Sequence, residues 1–270
     1  MTNDEAFIRA IVDAPGDDAP RLVYADWLDE RGDPRGAYMR ATVIWGRRLH
    51  DVETREKAER QLRHAARSLD PVWVCRLTPP PLGVCCDRVR FHDCGSPIPA
   101  GRIDQLEARL RIRLPPDYRA FLLNYNGGTP EPDVYQVGWD HFSRVQAFFP
   151  LGERLTGSSG QTSDDSLEAY AERINAPIGR MTLFPVAAVL ASHRPGDELD
   201  VESSRAAHEG ETCLCIRLDT QEIVGAHMNL SPALARIHVP FLLEPPVARS
   251  LPILLGQLDE LPEGWEPYVW

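Results

Sequence analysis

The chain has 270 residues, 43% hydrophobic and 26% charged, proportions that exclude a wholly disordered or a fibrous protein. Its longest apolar run, Val186–Ala191, is far short of the ~20 residues that cross a bilayer, and the acid-rich first twenty residues carry no secretory signal. The expectation is therefore a cytoplasmic protein with no membrane partner, long enough for one large or two modest domains.

The net charge of −11 is unevenly spread: residues 1–30 sum to −6, residues 31–69 to +5 and residues 151–270 to −10. Nucleic-acid affinity needs clustered Lys and Arg, so the acidic second half argues against that partner and favours a basic one, beside the simpler role of keeping the protein soluble. Acids alternate with bases at helical spacing in 31–69, as in Glu53 with Lys57 and Glu59 with Arg63, which reads as a solvated helix face. Proline supplies 24 residues against a usual share of about 5%, implying many loops and at least one extended connector.

In chain order, Thr2-x-x-Glu5 is a capping box that opens a short helix bearing Phe7, Ile8 and Ile11. A second helix starts at Asp17-Asp18-Ala19-Pro20, buries Leu22, Val23, Trp27 and Leu28, and stops at Gly32. A third begins at Asp33-Pro34 with Tyr38, Ala41, Ile44 and Trp45. A fourth, near 51–69, carries Ala58, Leu62, Ala65 and Leu69 on one stripe. Residues 1–70 thus read as a small all-α module. Prolines and glycines through 71–100 predict a connector with one strand near Val89–Phe91. Residues 101–258 read as a second domain and 259–270 as an aromatic tail that folds back onto apolar surface.

That second domain opens with Ile103, Leu106 and Leu110 on one face. Leu114-Pro115 then leads to a helix with Phe121, Leu122 and Leu123, stopped at Asn126-Gly127-Gly128. Strands are predicted at Val134–Val137, Val145–Phe149, Leu183–Leu190, Thr212–Leu218 and Ile223–Met228, with a hairpin turn at Gln221-Glu222. Ser166–Ile174 and Val247–Leu258 read as helices, and 153–165 and 197–211 as loops. The fold class expected is α+β, a helical N-terminal module followed by a mixed or antiparallel sheet packed with helices.

The pattern Ile103-x-x-Leu106-Glu107-x-x-Leu110-x-x-x-Leu114-Pro115-x-x-Tyr118-x-x-Phe121-Leu122 and then Asn126-Gly127-Gly128 resembles the opening of the SUKH superfamily, the Smi/Knr-type domains. Leu183-Phe184-Pro185-Val186, the run Leu214–Val224 and the segment Val247–Leu258 resemble its later elements, over roughly 100–258. The run from Asp18 to Pro34, with Leu22-Val23-Tyr24-Ala25-Asp26-Trp27-Leu28 at its centre, resembles the bacterial repeat-companion domain. The SUKH resemblance implies a non-enzymatic binding domain, often an immunity protein that neutralises a toxin and otherwise a regulatory interaction module. Leu114, Pro115, Tyr118, Phe121, Asn126, Gly127 and Gly128 read as mainly structural. Asp197, Glu198, Asp200, Glu202, Glu209 and Glu211, which with Arg205 sum to −5, are the candidate face for a basic toxin, and Trp139 is a candidate anchor.

Phosphate-loop, dinucleotide, zinc-protease and serine-elbow motifs are absent from the sequence, so no cofactor is expected. Cys85, Cys86, His92 and Cys94 match no common zinc spacing, and a metal there is not expected. Cys213 and Cys215, about 6.6 Å apart along a strand, read as small hydrophobes lining one face. The leading reading is a protein-binding module of immunity type. The alternative is a regulatory scaffold targeted by the N-terminal module, and the remote one an enzyme built on a Cys–His pair.

Overall fold

The computed structural model describes residues 2–47, 51–80, 82–137, 141–152, 166–176, 178–193, 210–229 and 241–267. Two compact units emerge, Met1–Asp87 with Pro116–Asn124, and Arg88–Pro115 with Tyr125–Trp270. The architecture is α+β with a helical N-terminal region.

The first unit holds α1 (Asn3–Asp13), α2 (Asp18–Asp29), α3 (Arg35–Arg47), α4 (Val52–Ala66) and α5 (Pro71–Leu77). Side-chain caps set their starts. Thr2 Oγ1 accepts from the Glu5 amide at 3.2 Å, Asp17 from Ala19 at 2.9 Å, and Asp33 from Arg35 at 3.0 Å. Asp70 caps α5, with Pro71 in the first turn, so residues expected to belong to an extended connector are helical. Gly36 is required for α3 to lie on α2, because a Cβ there would come within 2.1 Å of Asp29 Oδ1 and 3.0 Å of the Ala25 carbonyl.

The buried faces differ from those expected on composition. Arg21, Tyr24, Ala25 and Leu28 are buried on α2, whereas Val23 is 55% exposed. On α3 the interior takes Met39, Thr42, Val43 and Trp45 and leaves Ile44 53% exposed. On α4 only Leu62 of the predicted stripe is fully buried. Tyr24 explains the choice on α2. Its ring stacks on Phe7 at 5.3 Å, its hydroxyl donates to Asp4 Oδ1, and it accepts from Trp73 Nε1 at 3.2 Å. A phenol with both partners inside is better buried than a valine on the neighbouring face.

The helix α7 (Pro116–Asn124) packs against α5 in this unit. Asn124 secures it. Its Oδ1 accepts from Arg76 Nε at 3.1 Å, its Nδ2 donates to the Arg76 carbonyl at 3.4 Å, and its own carbonyl accepts from Arg9 at 3.0 Å.

The second unit contains β1 (Arg90–His92), α6 (Ala100–Leu110), β2 (Thr129–Glu131), β3 (Val134–Val137), β4 (His141–Phe148), α8 (Leu167–Asn175), β5 (Leu183–His193), β6 (Gly210–Arg217), β7 (Ile223–Asn229), β8 (Phe241–Ala248), α9 (Leu251–Gln257) and β9 (Glu266–Pro267). Strands β1 and β2 pair by themselves. Strands β3 to β8 form an antiparallel sheet in sequence order, and β9 adds to β5. Cys213, Leu214, Cys215 and Ile216 on β6 are all buried, so the centre of the sheet is covered on both faces. Gln221, at the predicted hairpin turn, takes the left-handed conformation that a glycine usually supplies, with φ 65°.

Strand β8 was not legible in the sequence. Pro245 and Pro246 discourage a strand assignment, but among the described residues β8 hydrogen-bonds only to β7 and ends the sheet, a position where proline is tolerated. The helix expected from Val247 therefore starts at Leu251. The tail does fold back: Asp259 exchanges backbone hydrogen bonds with Val134, and Trp265 stands edge-on to Phe142 with centroids 4.9 Å apart.

Burial pushes the Tyr24 hydroxyl well above its ordinary pKa, the Cys75 thiol up to about 12 and the Cys85 thiol up to about 11. Each folded pKa lies above the unfolded one, so the stabilisation is complete below the unfolded values, about 8.5 for thiols and 10 for tyrosine, and drains away above them. The urea midpoint measured by circular dichroism is expected to be flat between about pH 7 and 8 and to fall from about pH 9 upward. Tyr24→Phe is expected to be less stable at neutral pH and to lose part of the fall above about pH 10. A midpoint that rises with pH contradicts this account.

Candidate functional site

The family-motif residues are inside the protein. Leu114 and Pro115 are buried, and the Leu114 amide donates to Glu107 Oε1 at 2.8 Å. Glu107 is itself only 3% exposed and takes Arg113 on its second oxygen at 3.1 Å. Tyr118 and Phe121 are fully buried on α7 and stack at 6.0 Å.

Asn126 joins two separate loops of the second unit. Its Nδ2 donates to the carbonyls of Ser96 at 2.8 Å and Leu151 at 3.2 Å. Its Oδ1 accepts from the Leu151 amide at 2.9 Å, and its carbonyl from Gly95 at 3.1 Å. Gly127 and Gly128 follow with φ of 89° and 109°. A Cβ at Gly127 would sit 2.7 Å from the Phe148 carbonyl, and one at Gly128 2.7 Å from that of His92. The turn thus requires glycine twice, for conformation and for space.

The candidate contact residues lie elsewhere. Trp139, Asp197, Glu198, Asp200, Glu202 and Glu209 lie outside the described residues, and Glu211 is on β6 opposite Met228 of β7. The ends of the described strands relate these segments. Val137 ends β3 and His141 starts β4; His193 ends β5 and Gly210 starts β6; Asn229 ends β7 and Phe241 starts β8. In an antiparallel sheet of this order, all six termini lie at the same end, so the connections 138–140, 194–209 and 230–240 leave from that end. Two further features stand there and were not singled out from the sequence as site residues, the Phe142–Trp265 pair and the β9 pairing at Ser192 and His193.

Cys85 and Cys86 are buried in the helical unit, and Cys94 is exposed in the other. His92 Nε2 pairs with Glu131 Oε2 at 2.8 Å, with both side chains exposed. Among the described residues, no three or more His, Cys, Asp or Glu side chains gather as metal ligands. Burial raises the Cys75, Cys85 and Cys215 thiols, the opposite of the shift that activates a nucleophile. An open cleft of about 450 Å³ runs from Ser96 along the start of α6 to Gly152, where Arg102 faces the buried Glu168 at 3.6 Å.

Asn126→Ala removes three side-chain hydrogen bonds from buried backbone groups and is expected to lower unfolding stability by about 3 kcal/mol. Urea denaturation of the full chain checks it, and a loss below about 0.5 kcal/mol, the size of a surface substitution, contradicts the role assigned to Asn126.

No described helix is long and apolar enough to cross a membrane. No curated protein and no solved structure matches the chain. The resemblance of residues 18–34 to the repeat-companion domain lies outside the match that is found. Residues 97–197, which include α6 through β5, match the model of the SMI1 / KNR4 family (SUKH-1), and this part of the chain is similar to the domain of that family.

Proposed function

We propose that this chain is a protein-binding module of immunity type, which recognises a basic toxin and neutralises it by occupying its surface. The observation that carries this reading is the SUKH-1 match over 97–197, because such domains serve immunity and regulation through protein contacts. Two features support the placement of the partner. The segment 197–211 sums to −5, and the strands flanking it and Trp139 terminate at one end of the sheet. A cluster of carboxylates in one segment draws in a cationic surface and competes with phosphate for it. The aromatic pair Phe142–Trp265 offers apolar area at the same end of the sheet as the termini of β5 and β6.

The test takes whichever protein encoded beside the gene is toxic when expressed alone and co-expresses it with the parent chain and with a variant neutralised at Asp197, Glu198, Asp200 and Glu202. The parent is expected to rescue growth and bind with an affinity that falls as salt rises. The variant is expected to bind at least about tenfold more weakly, mainly through slower association. Equal binding by both removes the acidic segment as the site. Failure of the parent to bind or rescue removes the immunity reading.

A second reading, a regulatory scaffold, is favoured by the exposed Val23 and Ile44 on the helical unit. If it holds, Val23→Asp with Ile44→Asp abolishes capture of a cellular partner while leaving the urea midpoint unchanged, and unchanged capture excludes it.

A further inference from the structure

Cys213 and Cys215 lie on the same face of β6, with sulfurs 3.6 Å apart and both side chains fully buried. The neighbours of Cys213 are small. Ala188 stands opposite it on β5 and Ala226 on β7, so both of its cross-strand partners are alanines. Cys215 stands between Pro185 and Val224. The pairing of β6 with β5 runs from Arg217 only as far as Cys213, so this cysteine marks the point where the two strands part.

We propose that Cys213 and Cys215 are a modification site, an intrastrand dithiol that a small disulfide such as oxidised glutathione converts to a Cys213–Cys215 disulfide. The balance is that of thiol–disulfide exchange. Local opening of β6 at its fork with β5 brings the buried pair to solvent; one cysteine then loses its proton and attacks a sulfur of glutathione disulfide, forming a mixed disulfide and releasing one glutathione thiolate. The second cysteine loses its proton and attacks the protein-side sulfur, closing the Cys213–Cys215 bond and releasing the second glutathione. Two cysteine thiols are oxidised, one glutathione disulfide is reduced to two glutathiones, and the two protons end on the released thiols.

Three arguments favour a disulfide over other chemistry at this pair. The sulfurs already touch and need only close to about 2.05 Å. The product is neutral and asks for no hydrogen-bond partner, so it suits a site where a thiolate–metal complex leaves charge in apolar surroundings. The flanking alanines and the parting of β5 from β6 let the backbone adjust at Cys213. That adjustment is needed: residues two apart on a flat strand are about 6.6 Å apart, whereas disulfides favour Cα separations near 5.5–6 Å. The bond therefore contracts β6 at its fork with β5, and such a strained disulfide is readily reduced.

The experiment treats the native, fully reduced chain overnight with excess oxidised glutathione, blocks remaining thiols by alkylation and digests with trypsin. Cleavage after Arg205 and Arg217 gives a peptide that holds Cys213 and Cys215 and no other cysteine. This peptide is expected to be lighter than its reduced form by two hydrogens and to carry no alkyl group. The exposed Cys94 serves as the internal control by taking glutathione. The far-UV spectrum, recorded before digestion, is expected to remain that of the folded protein. Double alkylation of the Cys213–Cys215 peptide while Cys94 is fully glutathionylated overturns the proposal. So does closure of the pair only after the chain has been unfolded in denaturant. In Cys213→Ser the two-hydrogen loss is expected to vanish, and its persistence also overturns the assignment.

Discussion

The second unit depends on satisfying the backbone groups of segments that leave regular structure inside the protein. Asn126, 1% exposed, joins the loops at 95–96 and 151 through its side chain and its carbonyl. Asn175 does the same at the end of α8, where Nδ2 donates to the carbonyls of Ala171 and Leu183 and Oδ1 accepts from the amides of Thr182 and Leu183. Glu107 closes the turn after α6. A buried peptide group without a partner costs a few kcal/mol, so these three side chains are what allow the loops to run inside and not over the surface. The sheet then has fixed anchors at the end from which α8 and the β6–β7 hairpin depart, and its opposite end is free to carry the connections 138–140, 194–209 and 230–240.

The helical unit solves the same problem with charge-assisted contacts. Tyr24 sits among Phe7, Trp27 and Trp73, with Asp4 on its hydroxyl. Arg35 reaches Asp33 at 2.7 Å and stands over the Trp73 ring at 5.4 Å. Hydrogen bonding to Asp33 holds the Arg35 pKa above its ordinary value, and the same contact pulls the Asp33 carboxyl below its own. The buried Arg21 donates to the carbonyls of Pro15 at 2.6 Å and Asp17 at 3.2 Å, which fixes the turn between α1 and α2. The run from Asp18 to Pro34 is therefore dense in residues that position backbone, while Val23 within it stays exposed.

Much of the secondary structure was legible because it rests on local rules. Caps at Thr2, Asp17 and Ser166 start helices, and the alternation in Thr212–Leu218 marks β6. The helix at 71–77 had a legible signal too, an acid followed by proline, outweighed by the prolines that come after it. Strand β8 had no such signal, because its prolines are acceptable only on an edge and edge position is a property of the assembled sheet. The motif residues Leu114 to Gly128 carry local signals, an apolar spacing and a pair of glycines, and the structure buries Leu114, Tyr118, Phe121 and Asn126. Phe142 and Trp265 were not readable as a pair, since 123 residues of chain separate them and only the returning tail brings them together.

By itself the sequence determined which segments are helix or strand, where they turn, the −5 charge of 197–211 and the SUKH-like pattern, because each depends on residues near one another in the chain. Only the tertiary structure decided which helix faces go inside, that α7 packs with α5, and that three strand-to-strand connections leave from one end of the sheet. It also decided that two buried cysteine sulfurs meet where β6 parts from β5. These follow from packing and register, where distant side chains compete for the same interior, and no local pattern records which of them wins.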